Sequence, residues 1–214
     1  MKKILVATAA LLLANAVKVN AQSESNAGKK DGMHIGVRAG VNLSNLIKDD
    51  NPNTSTGSKI GLNAAAFLEI PITDGFSVQP EVQFSQKGFK ETGTFLGTAY
   101  EYKQTTNFIE VPLLAKFKPT KNFGILIGPQ FSFLASTQTK FSTPNATFEN
   151  EVKQDNDNLK KNILGGVVGI EAASGPAVFG LRYNLDFQNN NGDGTSSTPK
   201  YKNQVIALSV GFRF

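Results

Sequence analysis

The chain of 214 residues has no cysteine, which excludes disulfides, thiolate metal sites and a lipid anchor joined through sulfur. Its single histidine, His34, leaves only carboxylates as further ligands, too little for a zinc centre, and no cofactor is expected. Long apolar runs are missing too. No stretch approaches the roughly eighteen residues of a membrane-spanning helix. Nor is there a basic stripe or an aromatic platform of the kind that binds nucleic acid. The excess of Lys and Arg over Asp and Glu is small, and part of it lies in a segment expected to be removed.

That segment is Met1 to Ala21, MKKILVATAALLLANAVKVNA. Lys2 and Lys3 precede an apolar stretch, Ile4 to Ala14, and Val19-Asn20-Ala21 ends in a small residue, the pattern of a secretory signal peptide. Of the 22 basic residues, Lys2, Lys3 and Lys18 lie within it, leaving 19 against 17 acidic ones. The expected organisation is a signal peptide at 1–21, a flexible polar leader at 22–32 and one folded domain at 33–214.

Within that domain the clearest stretch is Ile60 to Phe89, IGLNAAAFLEIPITDGFSVQPEVQFSQKGF. Ile60, Leu62, Ala64, Ala66, Leu68 and Ile70 alternate with Gly61, Asn63, Ala65, Phe67 and Glu69. Pro71 to Gly75 reads as a compact turn. Then Phe76, Val78, Pro80, Val82 and Phe84 alternate with Ser77, Gln79, Glu81, Gln83 and Ser85. Period-two patterning over about ten residues a side predicts a hairpin of strands longer than the usual five or six. Tilted strands of that length cross a bilayer, with the apolar face toward lipid and the polar face toward the lumen.

Six further strands follow the same pattern, over Met33–Leu43, Tyr102–Lys118, Phe123–Ala135, Asn162–Ala173, Phe179–Phe187 and Tyr201–Phe214. Short turns join the hairpin at 71–75 and the pairs around 119–122 and 174–176. Long polar loops are expected at 44–58, 86–101, 136–160 and 188–200. Short and long connections alternate strictly, and the strand count is even. Both features predict an all-β fold, an eight-stranded antiparallel transmembrane β-barrel with short periplasmic turns and long external loops, in the outer membrane. Pro80, Pro112 and Pro129 fall inside strands, where bulges are the expected accommodation.

A barrel of this size is filled by its own side chains. Arg38, Glu69, Glu81, Glu110, Lys116, Glu171, Arg182, Asp186 and Arg213 fall on the lumen face. Arg38, Glu81 and Arg182 lie at similar depth and Glu110 somewhat higher, so these four are expected to form an ionic network across the lumen. The alternative use of such charges is a narrow channel for ions or small solutes. Catalysis is not expected. A Ser-His-acid set would need His34, which starts the first strand by the short turns, whereas a barrel hydrolase works at the outer rim. The acidic and amide-rich runs at 49–53 and 189–194 lack the spacing of an EF-hand loop and read as solvated turns. Phe89, Phe95, Tyr100 and Phe148 are aromatic residues in the outer loops, suited to a partner, to folding the loops onto themselves or to the lipid boundary.

The segments GVRAGVNLSNL (36–46), AFLEIPITDGFSVQPEVQFSQKG (66–88), NFIEVPLLAKFKP (107–119), GILIGPQFSFL (124–134) and VIALSVGFRF (205–214) resemble the PorT-like outer-membrane β-barrel family of Bacteroidetes. The resemblance covers nearly all of the chain after the signal and implies a barrel without a fixed activity. One founding member is tied to a protein-secretion system, so secretion or envelope proteins are implied as partners, beside outer-membrane lipid. Phe214, at the carboxyl end, resembles the signal by which barrel assembly machinery recognises its substrates.

Overall fold

The computed structural model describes residues 32–48, 56–95, 98–144, 146–153, 159–191 and 200–214. The expected signal peptide, the leader up to residue 31 and the acidic run at 49–53 lie outside them. The described chain forms nine strands: β1 (His34–Lys48), β2 (Thr56–Thr73), β3 (Phe76–Phe95), β4 (Thr98–Thr120), β5 (Phe123–Thr143), β6 (Ala146–Lys153), β7 (Asn162–Ser174), β8 (Ala177–Asp186) and β9 (Tyr201–Arg213).

Eight of them close into a ring. Each neighbour is antiparallel, β1 meets β9, and β5 bridges from β4 to β7. The ring is inside-out compared with a water-soluble protein. Val37, Val41, Ile60, Leu62, Phe84, Leu113, Ile127, Phe131, Leu181 and Leu208 point outward and are exposed. Arg38, Glu69, Glu81, Gln83, Lys87, Glu110, Lys116, Glu171, Arg182 and Asp186 are buried inside. Strict alternation forces this choice, since successive side chains leave opposite faces of a strand. An apolar outer surface around the ring is stable only against lipid.

β6 stands outside the ring. The first part of β5, Phe123–Phe133, pairs with β7, and its last part, Ser136–Thr143, pairs with β6. β3 and β4 also run on, pairing without a break from Gln83↔Glu110 to Phe95↔Thr98. The upper parts of β3, β4 and β5, with β6, therefore make a four-stranded sheet rising from one side of the barrel. This corrects two expectations. Segment 86–101 is the top of a hairpin and not a long loop, and segment 136–160 holds a strand pair. Both faces of this sheet meet water, so its strands lack the alternation that marks the ring. What they carry is Thr, Tyr, Phe and Lys, residues that suit strands or tolerate them without an apolar period.

The prolines also differ from expectation. The β2–β3, β3–β4 and β4–β5 registers pass Pro80, Pro112 and Pro129 without a shift. Each proline coincides with two missing pairs in one ladder: 68–69 with 79–80, 81–82 with 111–112, and 113–114 with 128–129. A residue without an N–H loses its bond to one neighbour only, so a local gap costs less than a bulge. Real bulges lie elsewhere, beside Ser58, Pro71, Asn107 and Phe117. At the β7–β8 turn, Gly175 takes φ 58°, a left-handed value that glycine adopts without a Cβ clash.

Candidate functional site

The inward side chains of the ring join in one continuous chain of polar contacts. It begins at the short-turn end, where Lys118 Nζ lies 3.1 Å from Glu69 Oε1. Glu69 also accepts from Lys116 at 2.8 Å and from the Ser77 hydroxyl at 3.2 Å. Lys116 in turn donates to Glu171. Glu171 faces Arg182 at 3.9 Å.

The middle tier is built on Glu81. Arg182 donates to both its carboxylate oxygens, at 2.8 and 2.9 Å, and Arg38 does the same from the opposite side, at 2.7 and 2.5 Å. Gln79 adds a bond of 2.7 Å. Arg38 also donates to Gln83 at 2.8 Å, and Gln83 passes the chain upward by donating to Glu110 at 2.9 Å.

The upper tier is centred on Lys87. Its Nζ sits 2.9 Å from Glu110 and 3.0 Å from Asp186, and lies 5.1 Å from the centre of the Phe108 ring. Glu110 accepts from Ser132 at 3.0 Å, and Asp186 from Asn203 at 2.7 Å.

Three features follow. Every ring strand contributes: Arg38 from β1, Glu69 from β2, Glu81 from β3, Glu110 from β4, Ser132 from β5, Glu171 from β7, Arg182 from β8 and Asn203 from β9. The charges balance, with Arg38, Lys87, Lys116, Lys118 and Arg182 against Glu69, Glu81, Glu110, Glu171 and Asp186. One side of the wall is apolar, for Leu114, Leu126 and Val167 pack together on β4, β5 and β7, and Phe108, Leu134, Leu159 and Ile163 pack above them. Buried charges are tolerated in this setting because each meets an opposite charge and further hydrogen bonds.

Of the four residues expected to form the lumenal network, Arg38, Glu81 and Arg182 meet directly. Glu110 belongs to the tier above and is linked to them through Gln83. Arg213 is half-buried opposite Gly36, by the short turns. His34 lies opposite Glu69 on β1, and its Nδ1 is buried without a hydrogen bond. Among the described residues no group of three His, Asp or Glu side chains is placed to hold a metal ion. Lys87 was missed, because segment 86–101 reads as a loop. Its signal was present: continuing the inward series Ser77, Gln79, Glu81, Gln83, Ser85 by one step gives Lys87.

The mouth and the projecting sheet carry aromatic residues on the face that continues the lumen. Phe89 packs on Tyr201 and Tyr102, with ring centres 5.7 and 5.9 Å apart. Tyr100 stacks on Phe141 at 5.7 Å, and Phe141 is opposite the exposed Phe148 in the β5–β6 register. The Tyr201 hydroxyl accepts from Gln104 Nε2 at 2.9 Å, fixing the base of the stripe. On the other face Lys90 pairs with Glu101 at 2.5 Å, and that bond holds the Glu101 carboxyl below its usual range.

The family model of the outer membrane protein beta-barrel domain matches residues 20–192. No curated protein matches the chain. Among solved structures, the chain is similar to Ail, the attachment invasion locus protein of Yersinia pestis, at 15% identity over 86% of this chain and 99% of Ail, with a TM-score of 0.45. It is similar to the Neisserial surface protein A at 12% identity over 84% and 97%, with a TM-score of 0.49. It is also similar to the outer membrane protease OmpT of Escherichia coli, at 10% identity over 89% and 99%, with a TM-score of 0.43.

Proposed function

The chain belongs to the outer membrane protein beta-barrel domain family, and on that premise we propose that it is a closed, non-enzymatic barrel that works through protein contacts at its outer end. One observation carries this reading. The lumenal contacts tie all eight ring strands together from the short turns to the mouth, which leaves the projecting sheet as the part available to a partner. Its aromatic face, from Tyr100 through Phe141 to Phe148, has the composition that protein interfaces favour.

The segments that resemble PorT-like barrels of Bacteroidetes support a finer placement, as an envelope component of a protein-secretion complex. Phe214, 78% exposed beyond the last strand, is suited to recognition by the assembly machinery before the barrel closes. The test is a photo-reactive residue placed at Phe148 in living cells, with one at the lipid-facing Phe212 as the reference. A defined set of secretion or envelope proteins joined at Phe148 and not at Phe212 supports the reading. The same pattern at both sites, or lipid alone at both, counts against it.

A second reading, a narrow conducting barrel, is favoured by a different observation. Gln79 Oε1, Gln130 Oε1, Arg182 Nε and Asn184 Oδ1 are buried in the lumen without hydrogen-bond partners. Such groups call for water, and a chain of waters beside the charges would carry protons or small ions. Single-channel recording of the purified barrel separates the two readings.

A further inference from the structure

Lys59 is an anomaly among the lysines. It is only 6% exposed, yet its ammonium makes one long hydrogen bond, 3.4 Å to the Ile60 carbonyl, and no ion pair among the described residues. The like charge of Lys103 acts on it. A buried cation without a counter-charge is costly. Every lumenal lysine described above is answered by carboxylates, so the exception calls for an explanation.

The surroundings of Lys59 are built to hold it there. The β2–β3 ladder is interrupted between Ser58↔Phe89 and Asn63↔Ser85. Side chains of β1 take over the freed carbonyls: Asn42 donates to Gln86 O at 3.1 Å, and Ser44 donates to Gly88 O at 2.7 Å. Gly88, at φ 147°, faces outward between the inward Lys87 and Phe89. A Cβ there would stand 3.1 Å from Lys59 Cδ and 2.0 Å from Gln104 O. The missing side chain thus leaves the space that the Lys59 stem occupies.

Beside it lies a row of like charge. Lys90, Lys103 and Lys140 are direct cross-strand neighbours on β3, β4 and β5. Like charges directly opposite one another destabilise a sheet. Glu101 answers Lys90, and beyond Lys140 the row ends at Glu149 of β6 in the register. The position of the cluster is as telling as its charge. Lys59 is followed at once by Ile60 and Leu62, which are 72% and 59% exposed and begin the apolar band. Cations immediately above such a band lie at the height of lipid headgroups, and long lysine stems reach toward them.

We propose that Lys59, Lys90, Lys103 and Lys140 form a site for the phosphate of an outer-leaflet lipid, with its acyl chains lying along Ile60 and Leu62. The phosphate supplies the counter-charge that Lys59 lacks and offsets the repulsion within the row. A free anion would satisfy the charges but gain nothing from the adjoining apolar band.

The test uses the full barrel in phosphatidylcholine nanodiscs with a minority of phosphatidic acid, and counts retained lipids by native mass spectrometry. The parent should retain phosphatidic acid over phosphatidylcholine. Lys59→Gln and Lys103→Gln should each lower that retention several-fold. Lys202→Gln, which removes the same charge from β9, should leave it unchanged. Lys90→Gln, at a half-exposed side chain, carries the test with Lys103→Gln if Lys59→Gln fails to assemble. Equal retention in the parent and in the cluster variants would overturn the proposal, as would an equal loss in Lys202→Gln. The lipid source itself is overturned if inorganic phosphate, added to the barrel in detergent, shifts the Lys59 side-chain nitrogen resonance as fully as phosphatidic acid does.

Discussion

Lys87 on β3 reaches across the lumen to Asp186 on β8, Nζ to Oδ1 at 3.0 Å, and holds Glu110 of β4 at 2.9 Å on the way. One cation thus answers two carboxylates from different walls. Removing it leaves both buried without a counter-charge, which is the expensive way to break a buried pair. Lys87→Met should therefore destabilise the barrel by about 3–5 kcal/mol in urea unfolding from lipid vesicles followed by circular dichroism. The triple variant Lys87→Met, Glu110→Gln, Asp186→Asn should recover much of that loss. A single variant as stable as the parent would remove the upper tier from the account of what holds the barrel closed.

Glu81 sets the middle of the lumen, because two arginines from β1 and β8 converge on it. Replacing Arg38, Glu81 and Arg182 together by alanine removes the largest side chains at that depth and leaves the lumen one positive charge short, because two arginines go with one carboxylate. The expected result in planar bilayers is discrete current steps in the variant and none in the parent. Steps of equal size in both would favour the conducting reading and count against the closed barrel.

Much of this architecture could be read from the chain because two solvents wrote it. Lipid outside and a packed polar lumen inside impose a period of two on every ring strand, as in Ala64–Ile70 or Ile109–Phe117. Inward charges were legible for the same reason, Arg38, Glu81 and Arg182 among them. The projecting sheet was not. With water on both faces, Lys90–Phe95 and Thr98–Lys103 lack an apolar period and read as loop. The Lys59 cluster was hidden for a further reason. Its members are far apart in sequence and come together only through the β2–β5 registers.

Glu101 gives the outer sheet a measurable response to pH. Its carboxyl is held below the usual range chiefly by the hydrogen bond from Lys90, with Lys103 and Lys140 adding their charge. A depressed carboxylate contributes to stability above its ordinary value and loses that contribution as pH falls through the depressed one. The pair is exposed, so global stability should barely change with it. The expected signature is local. In Lys90→Met the Glu101 carboxyl should titrate at a higher pH than in the parent, as read from its side-chain carbon resonance. An unchanged midpoint would show that the bond does not persist in solution.

Gly88 is the backbone position on which the outer seam depends. At φ 147° a side chain is strained by about 1–3 kcal/mol. A Cβ would also stand 2.0 Å from the Gln104 carbonyl, so β3 and β4 would have to part there. Gly57, on the adjoining β2, is the natural comparison, because a Cβ there meets only Lys90, its carbonyl at 3.6 Å and its Cβ at 4.0 Å, both ordinary contacts. Gly88→Ala should speed amide hydrogen exchange over 87–90 and 103–106 while leaving β7, β8 and β9 unchanged, and Gly57→Ala should do neither. Because the stem of Lys59 runs over Gly88, the alanine should also displace that ammonium. Loss of lipid retention in Gly88→Ala, with all four lysines intact, would show that the lysines bind through the shape of this seam and not through charge alone.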